Sequence, residues 1–165
     1  MNEGNKPARL RLDEFLPYRL SITSNAVSKA IAHAYDKRFG LAIPDWRILA
    51  VLNEIDSGTQ QDLVARTLMD KVAVSRAAQS LVKRGLVKRR PDSHDGRAHR
   101  LTLSAAGAAL YSRIAPVALD YERRLLEHFR KDQIAGLNDM LAVLANAASV
   151  FAEKDEDTGL GPRRR

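Results

Sequence analysis

DKVAVSRAAQSLVKRGLVKRRPDSHDGRAHRLTL, residues 70–103, is the stretch from which the rest of the chain is best read. Val74, Ala77, Ala78 and Leu81 recur at i, i+3, i+4 and i+7, a spacing that predicts a helix over 71–84 with this stripe facing inward. Asp70 stands at the N-cap position, where its carboxylate can accept an orphan amide proton. Gly85 stands where a left-handed stop is cheapest for the backbone. The opposite face carries Lys71, Ser75, Arg76, Gln79 and Lys83, all hydrogen-bonding side chains with no acid among them. Residues 86–90 and 98–103 read as strands, and the turn formers of 91–97 close them into a hairpin.

Charge singles out the same stretch. Residues 71–100 hold nine lysines and arginines against two aspartates, an excess equal to the net charge of +7 of the whole chain. The remainder is neutral on balance. A protein's entire excess charge gathered on one short module is the footprint of a polyanion binder. Ser75 and Gln79 add groups that can hydrogen-bond base edges.

Outward from this module, the elements on both sides are helical. Residues 1–12 are polar and basic and read as a flexible arm. A long helix follows from about residues 13–16 to Phe39, with Pro17 tolerated in its first turn and Gly40 as its stop. It carries an apolar stripe (Leu16, Leu20, Val27, Ala30, Ile31, Ala34) and beside it a small polar strip, Ser21, Ser24, Asn25 and Ser28. Pro44 opens a second helix through IPDWRILAVLNEI, and Asp56-Ser57-Gly58 reads as a turn. Thr59 caps a short third helix, QQDLVART, with Asp62 placed to reach back to the cap. The third helix, a tight turn and the basic helix make a helix-turn-helix, and the hairpin is its wing. No glycine occurs in the connecting turn, so a conventional backbone is expected there. Ser104 caps a fifth helix running to about Arg130 with a kink at Pro116. A sixth spans about 132–152, with Ile134, Leu137, Leu141, Leu144, Ala145 and Ala148 as its stripe. Residues 153–165 read as a disordered tail.

The expected fold is therefore mainly α with a small β-hairpin. A winged helix-turn-helix over 44–103 is joined to a helical dimerisation layer drawn from both chain termini, 13–43 and 104–152. Those terminal helices carry more apolar stripe than one small winged module can cover, which points to a layer shared by two copies. A twofold dimer places two recognition helices roughly 34–36 Å apart and reads a palindrome.

Several classes are excluded. None of the four histidines has metal-ligand spacing with carboxylates, and there is no glycine-rich phosphate loop or nucleophile elbow, so neither an enzyme nor a metal or other cofactor is expected. With no cysteine, thiol chemistry and disulfides are absent. No run of the sequence approaches the roughly 18 apolar residues of a membrane span. The first residues lack the pattern of a secretory signal, so a cytoplasmic protein is expected.

The order of elements, with the strings IPDWRILAVL, TQQDLVARTL and VSRAAQSLVKRGLVKRRPDSHDGRAHRLTLSAAG, resembles the MarR family of bacterial transcription regulators over about residues 13–152. The most specific part is GLVKRRPDSHDGRAHRLTLS, where Asp95-Gly96-Arg97 is similar to the family's Asp-x-Arg wing motif. The resemblance implies a homodimeric repressor that binds a palindromic operator on double-stranded DNA and lets go when a small molecule binds. It maps Ser75, Arg76, Gln79 and Lys83 to the major groove, with Lys71 on the same face. Arg97 maps to the minor groove, with Asp95 orienting it. Lys88, Arg89, Arg90 and Arg100 are left for phosphates. It also implies an effector crevice lined by Ser24, Ser28, Lys29, His33, Trp46 and Arg47, suited to a small anionic aromatic, either an aromatic acid or its acyl-CoA thioester. The competing reading is a non-specific nucleic-acid-binding or chromosome-organising protein without effector control.

Overall fold

The structure is a computed structural model that describes residues 9–92 and 99–157. Its elements are α1 (Leu16–Phe39), α2 (Ile43–Ile55), β1 (Ser57–Thr59), α3 (Gln60–Thr67), α4 (Lys71–Lys83), β2 (Val87–Pro91), β3 (His99–Leu103), α5 (Ala105–Leu125) and α6 (Lys131–Asp157). They fall into two compact units, residues 1–119 and 120–165.

In the first unit, α2, α3 and α4 pack around one core. Ile48, Leu49 and Leu52 of α2, Leu63 of α3 and Val74 and Leu81 of α4 are at most 1% exposed, with Leu101 of β3 and Ile114 of α5 beneath them. Fully burying each such side chain is worth roughly 1.5–3 kcal/mol. The inward stripe of α4 is the one its periodicity requires: Val74, Ala77, Ala78 and Leu81 are all buried. Asp70 Oδ1 accepts from Ala73 N at 2.7 Å, capping α4. At the other end Gly85 adopts φ +70°, and Leu86 N donates to Leu81 O at 2.9 Å. Gly40 ends α1 in the same way, with φ +59°.

The turn expected at 56–58 is in part a strand. Ser57–Thr59 pairs antiparallel with β3, Ser57 opposite Thr102 and Thr59 opposite Arg100, so the hairpin becomes a three-stranded sheet of order β1-β3-β2. Three residues are too few for a period-2 pattern to show, and the partner strand supplies what local sequence does not. The α3–α4 turn also departs from expectation. Leu68 sits in the left-handed region at φ +52°, where glycine is the usual occupant. Its amide donates to Val64 O at 3.0 Å, a left-handed cap that ends α3, and its side chain is 86% exposed and so meets no wall. Such a conformation costs a non-glycine residue roughly 1–2 kcal/mol.

Helix ends shift as well. α5 runs unbroken through Pro116 but stops at Leu125 rather than near 130, and α6 continues to Asp157, five residues into the segment read as tail. The Ala-Glu-Lys run at 152–154 has good helix propensity and carries α6 onward. Within the second unit, Leu137, Met140, Leu141, Val143 and Leu144 of α6 are all exposed. By length and composition Lys131–Phe151 could cross a membrane, with a mean hydropathy of 1.5 and none of the window buried. The expectation from contiguous apolar runs missed this window, because Gly136, Asn138, Asp139, Asn146 and Ser149 interrupt the run without lowering the window's mean very far.

At the start of α3, Thr59 N and Oγ1 both donate to Asp62 Oδ2, at 2.8 and 3.0 Å, and Asp62 N donates back to Thr59 Oγ1 at 3.2 Å. The two bonds from Thr59 hold the Asp62 carboxyl below the usual carboxylate range. A depressed native pKa gives stability that is present above the unfolded carboxylate range and is lost as pH falls through it. Asp62→Asn is expected to flatten the acid limb of stability against pH, read by urea melts at pH 7 and pH 3. An unchanged acid limb would remove Asp62 from that role.

Candidate nucleic-acid interface

Packing of the buried stripe leaves α4 with a solvent face opposite to it. Lys71, Arg76, Gln79 and Lys83 are exposed and Ser75 is half-buried. Gln79 Nε2 donates to Ser75 Oγ at 3.2 Å, one helical turn apart. That bond orients the amide and leaves its oxygen and second hydrogen for a ligand. Val72 lies on the same face and is 57% exposed. Sequence reasoning passed over it, although its spacing from Arg76 and Gln79 puts it on the outward face.

The wing begins at Gly85-Leu86. Val87 is buried and the next four residues of β2 are exposed, so Lys88, Arg89 and Arg90 all stand in solvent. Arg89 Nη2 lies 3.1 Å from His99 Nδ1 across the ladder. Arg100 is used differently. Its Nε donates to Ser57 Oγ at 2.9 Å, one Nη to Ser57 O at 3.1 Å and the other to Asp92 Oδ2 at 3.1 Å. It thereby ties β1 to the wing root, and its donors face the fold. Asp95 and Arg97 lie outside the described residues.

Between α4 and β2 runs a groove of about 200 Å³, with Ala78, Val82 and Leu101 as its apolar floor and Gln60, Gln79, Lys83 and Arg89 as its rim. No acid lines it. Spaced cations and amides over an apolar floor give this surface hydrogen-bond donors and positive charge to offer a polyanion.

Two anchors set the attitude of α4. Arg84 Nη1 donates to Gly40 O at 3.1 Å and lies 3.7 Å from Asp45 Oδ2. Asp45 also accepts from Ala42 N at 3.3 Å. Burial raises the Asp45 carboxyl above the usual range, while Ala42 N–H and Arg84 pull it back down. At the second anchor Ser104 Oγ donates to Gly85 O at 2.7 Å and accepts from Gly107 N at 2.9 Å, while Ser104 N donates to Leu86 O at 3.0 Å. The end of α4 is thus bonded to the start of α5.

This arrangement has known counterparts. Residues 39–98 match the MarR family. A MarR/EmrR family transcriptional regulator from Acinetobacter sp. ADP1 superposes with a TM-score of 0.79 at 26% identity, over 85% of this chain and 99% of that one. Over this module and in its fold the chain is similar to MarR-family regulators. A probable transcriptional regulator from Pseudomonas aeruginosa is similar at a TM-score of 0.71 and 28% identity, over 81% of this chain and 99% of the other. In sequence, the HTH-type transcriptional repressor IacR of Pseudomonas putida is 24% identical over 108 residues, 66% of this chain. The chain spans 65% of the length of that curated relative.

The residues assigned to an effector crevice do not share one face. Ser28 is half-buried on the α1 stripe that leads to Ile31 and buried Tyr35, and Ser24 is exposed one turn earlier on the same stripe. Lys29 and His33 are exposed and, at 100° per residue, lie on the far side of α1. On α2, Arg47 is exposed on the face away from buried Asp45, Ile48 and Leu49. Trp46 turns inward: its ring lies 5.2 Å from Tyr35 and stacks on Tyr111 of α5 at 5.8 Å and 10°. Burial raises the Tyr35 hydroxyl pKa. Among the described residues no cluster of three or more potential metal ligands forms.

Proposed function

We propose that this protein is a MarR-family regulator: a homodimeric, ligand-responsive repressor that binds a palindromic operator on double-stranded DNA. The observation that carries this reading is the outer face of α4: Arg76, Gln79 and Lys83 exposed together, beside a β2 lip of Lys88, Arg89 and Arg90, with no acid between them. Arg76 suits a guanine, and Gln79, pre-oriented by Ser75, suits an adenine through its free oxygen and hydrogen. Lys88, Arg89 and Arg90 suit phosphates, and Arg97, with Asp95 beside it in sequence, suits a minor groove. Repression follows the relative IacR.

Dimerisation is supported by apolar surface with nothing over it. Leu16, Leu20 and Ile22 of α1 are exposed, as are five large apolar residues of α6 between Leu137 and Leu144. Patches of this kind mark interaction sites rather than free surface. We place the winged module at 44–103, the dimer layer at 13–43 and 104–152, and the protein in the cytoplasm, where its DNA is.

Competition of a labelled fragment from upstream of the gene against bulk DNA tests specificity. The fragment is expected to hold against an excess on the order of 10³. Equal displacement by any DNA would leave the non-specific, chromosome-organising reading instead. Two substitutions separate the roles. Arg76→Ala is expected to cost about 1–3 kcal/mol and relax discrimination at one base pair. Arg89→Ala is expected to weaken all sequences alike and shallow the salt slope by roughly one unit. If Arg76→Ala behaved like Arg89→Ala, the groove assignment would be wrong.

For the effector we propose an aromatic acid or its acyl-CoA thioester, seated near the Tyr35, Trp46 and Tyr111 rings with Ser24 and Ser28 along the adjoining α1 stripe. Stacked aromatic rings accept a further aromatic face readily. Lys29, His33 and Arg47, on other faces, would meet the acid group only through the partner copy. Trp46 is the chain's one tryptophan, so its fluorescence reports directly on that corner. Titration with such compounds is expected to change the emission and release DNA, and silence across the panel counts against the class.

A further inference from the structure

We infer that Val72 is a specificity-determining residue that reads the methyl group of a thymine. The inference rests on α4 being the helix that enters the major groove. Val72, Arg76, Gln79 and Lys83 fall at i, i+4, i+7 and i+11, a single stripe opposite the buried Val74, Ala77, Ala78 and Leu81. Val72 is thus near the midline of the outward face, not on its margin, and it is 57% exposed. Within the described fold this position is unfavourable twice over. A β-branched residue lowers helix propensity relative to alanine, and its methyl groups remain in water. Leu68, 86% exposed in the turn just ahead, makes this end of α4 the apolar end of an otherwise polar face.

The major groove offers one apolar feature at its base edges, the thymine C5 methyl, and the first turns of a recognition helix are those that reach base edges. Seven residues separate Val72 from Gln79, a rise of roughly 10 Å or about three base-pair steps. The thymine met by Val72 and the base met by Gln79 are therefore expected about three pairs apart in each half-site.

The experiment uses the full chain and duplexes it selects from a randomised library. Each thymine of the selected sequence is replaced in turn by deoxyuridine, which removes only the C5 methyl. In the parent protein one thymine per half-site is expected to show a roughly three- to fivefold loss of affinity, the effect of one buried methyl. Val72→Ala is expected to bind the thymine duplex more weakly by a similar factor and to be indifferent to deoxyuridine at that position. Val72→Thr, which keeps a methyl, is expected to retain the dependence. Val72 is more than half exposed and alanine raises helix propensity, so a urea melt of Val72→Ala is expected to match the parent, which separates weakened binding from a folding effect. Uniform tolerance of deoxyuridine by the parent, or full methyl dependence in Val72→Ala, would overturn the inference and leave α4 as a reader by other residues. Failure to select any sequence would overturn base reading by α4 itself, and Val72 with it.

Discussion

Between 50 and 200 mM monovalent salt, affinity for a specific duplex is expected to fall by roughly 10³-fold. Lys88, Arg89 and Arg90 are exposed with no carboxylate ion-paired to them among the described residues. Doubled in the proposed dimer they offer about six phosphate contacts. Each contact releases condensed counterions, so the logarithm of affinity falls with that of salt at a slope of about −0.9 per contact, or roughly −5 here. Arg100 does not enter this count because its donors serve Ser57 and Asp92. The slope is read from equilibrium titrations at four or five salt concentrations. A fall of less than tenfold would mean that the β2 lip does not lie along a DNA backbone.

The second large effect is on stability. Gly107→Ala is expected to cost on the order of 3 kcal/mol, an appreciable part of a domain's total. Gly107 is buried near the start of α5, and a Cβ there would stand 2.0 Å from Leu86 O and 3.0 Å from Leu86 C. The obstacle is backbone rather than a side chain that can swing away. Leu86 O is also the acceptor for Ser104 N, at 3.0 Å, so moving it loosens the junction of α4 with α5 as well. Thermal or urea melts measure the loss, and a midpoint unchanged from the parent would show that the backbone yields easily. DNA binding measured well below the melting point should weaken too, because the disturbed bonds fix the end of α4.

Much of this was legible from residue order. The stripe of α4, its Asp70 cap and Gly85 stop, the Thr59–Asp62 cap and the Gly40 stop are local features, and local chemistry decides them. What was not legible depends on distant partners. β1 exists because β3 is there to pair with it, and three residues carry no period of their own. Leu68 takes a glycine-like backbone because α3 must end within one residue, and nothing in a leucine announces that. Arg100 reads as one more cation of the patch until Ser57 and Asp92 are brought beside it. Among the effector candidates, Lys29 and His33 follow Ser28 closely in sequence, yet helix geometry turns them to the other side. Trp46 reads in sequence as core more readily than as pocket, and only the fold brings its stacking partners from α1 and α5 beside it.

Arg84 leaves one mechanical consequence. It sits at the tail of α4 and holds the carbonyl of Gly40, the left-handed stop between α1 and α2. The bend and the tail of the helix are thereby tied through a single hydrogen bond, so a substitution at either end of it bears on the other.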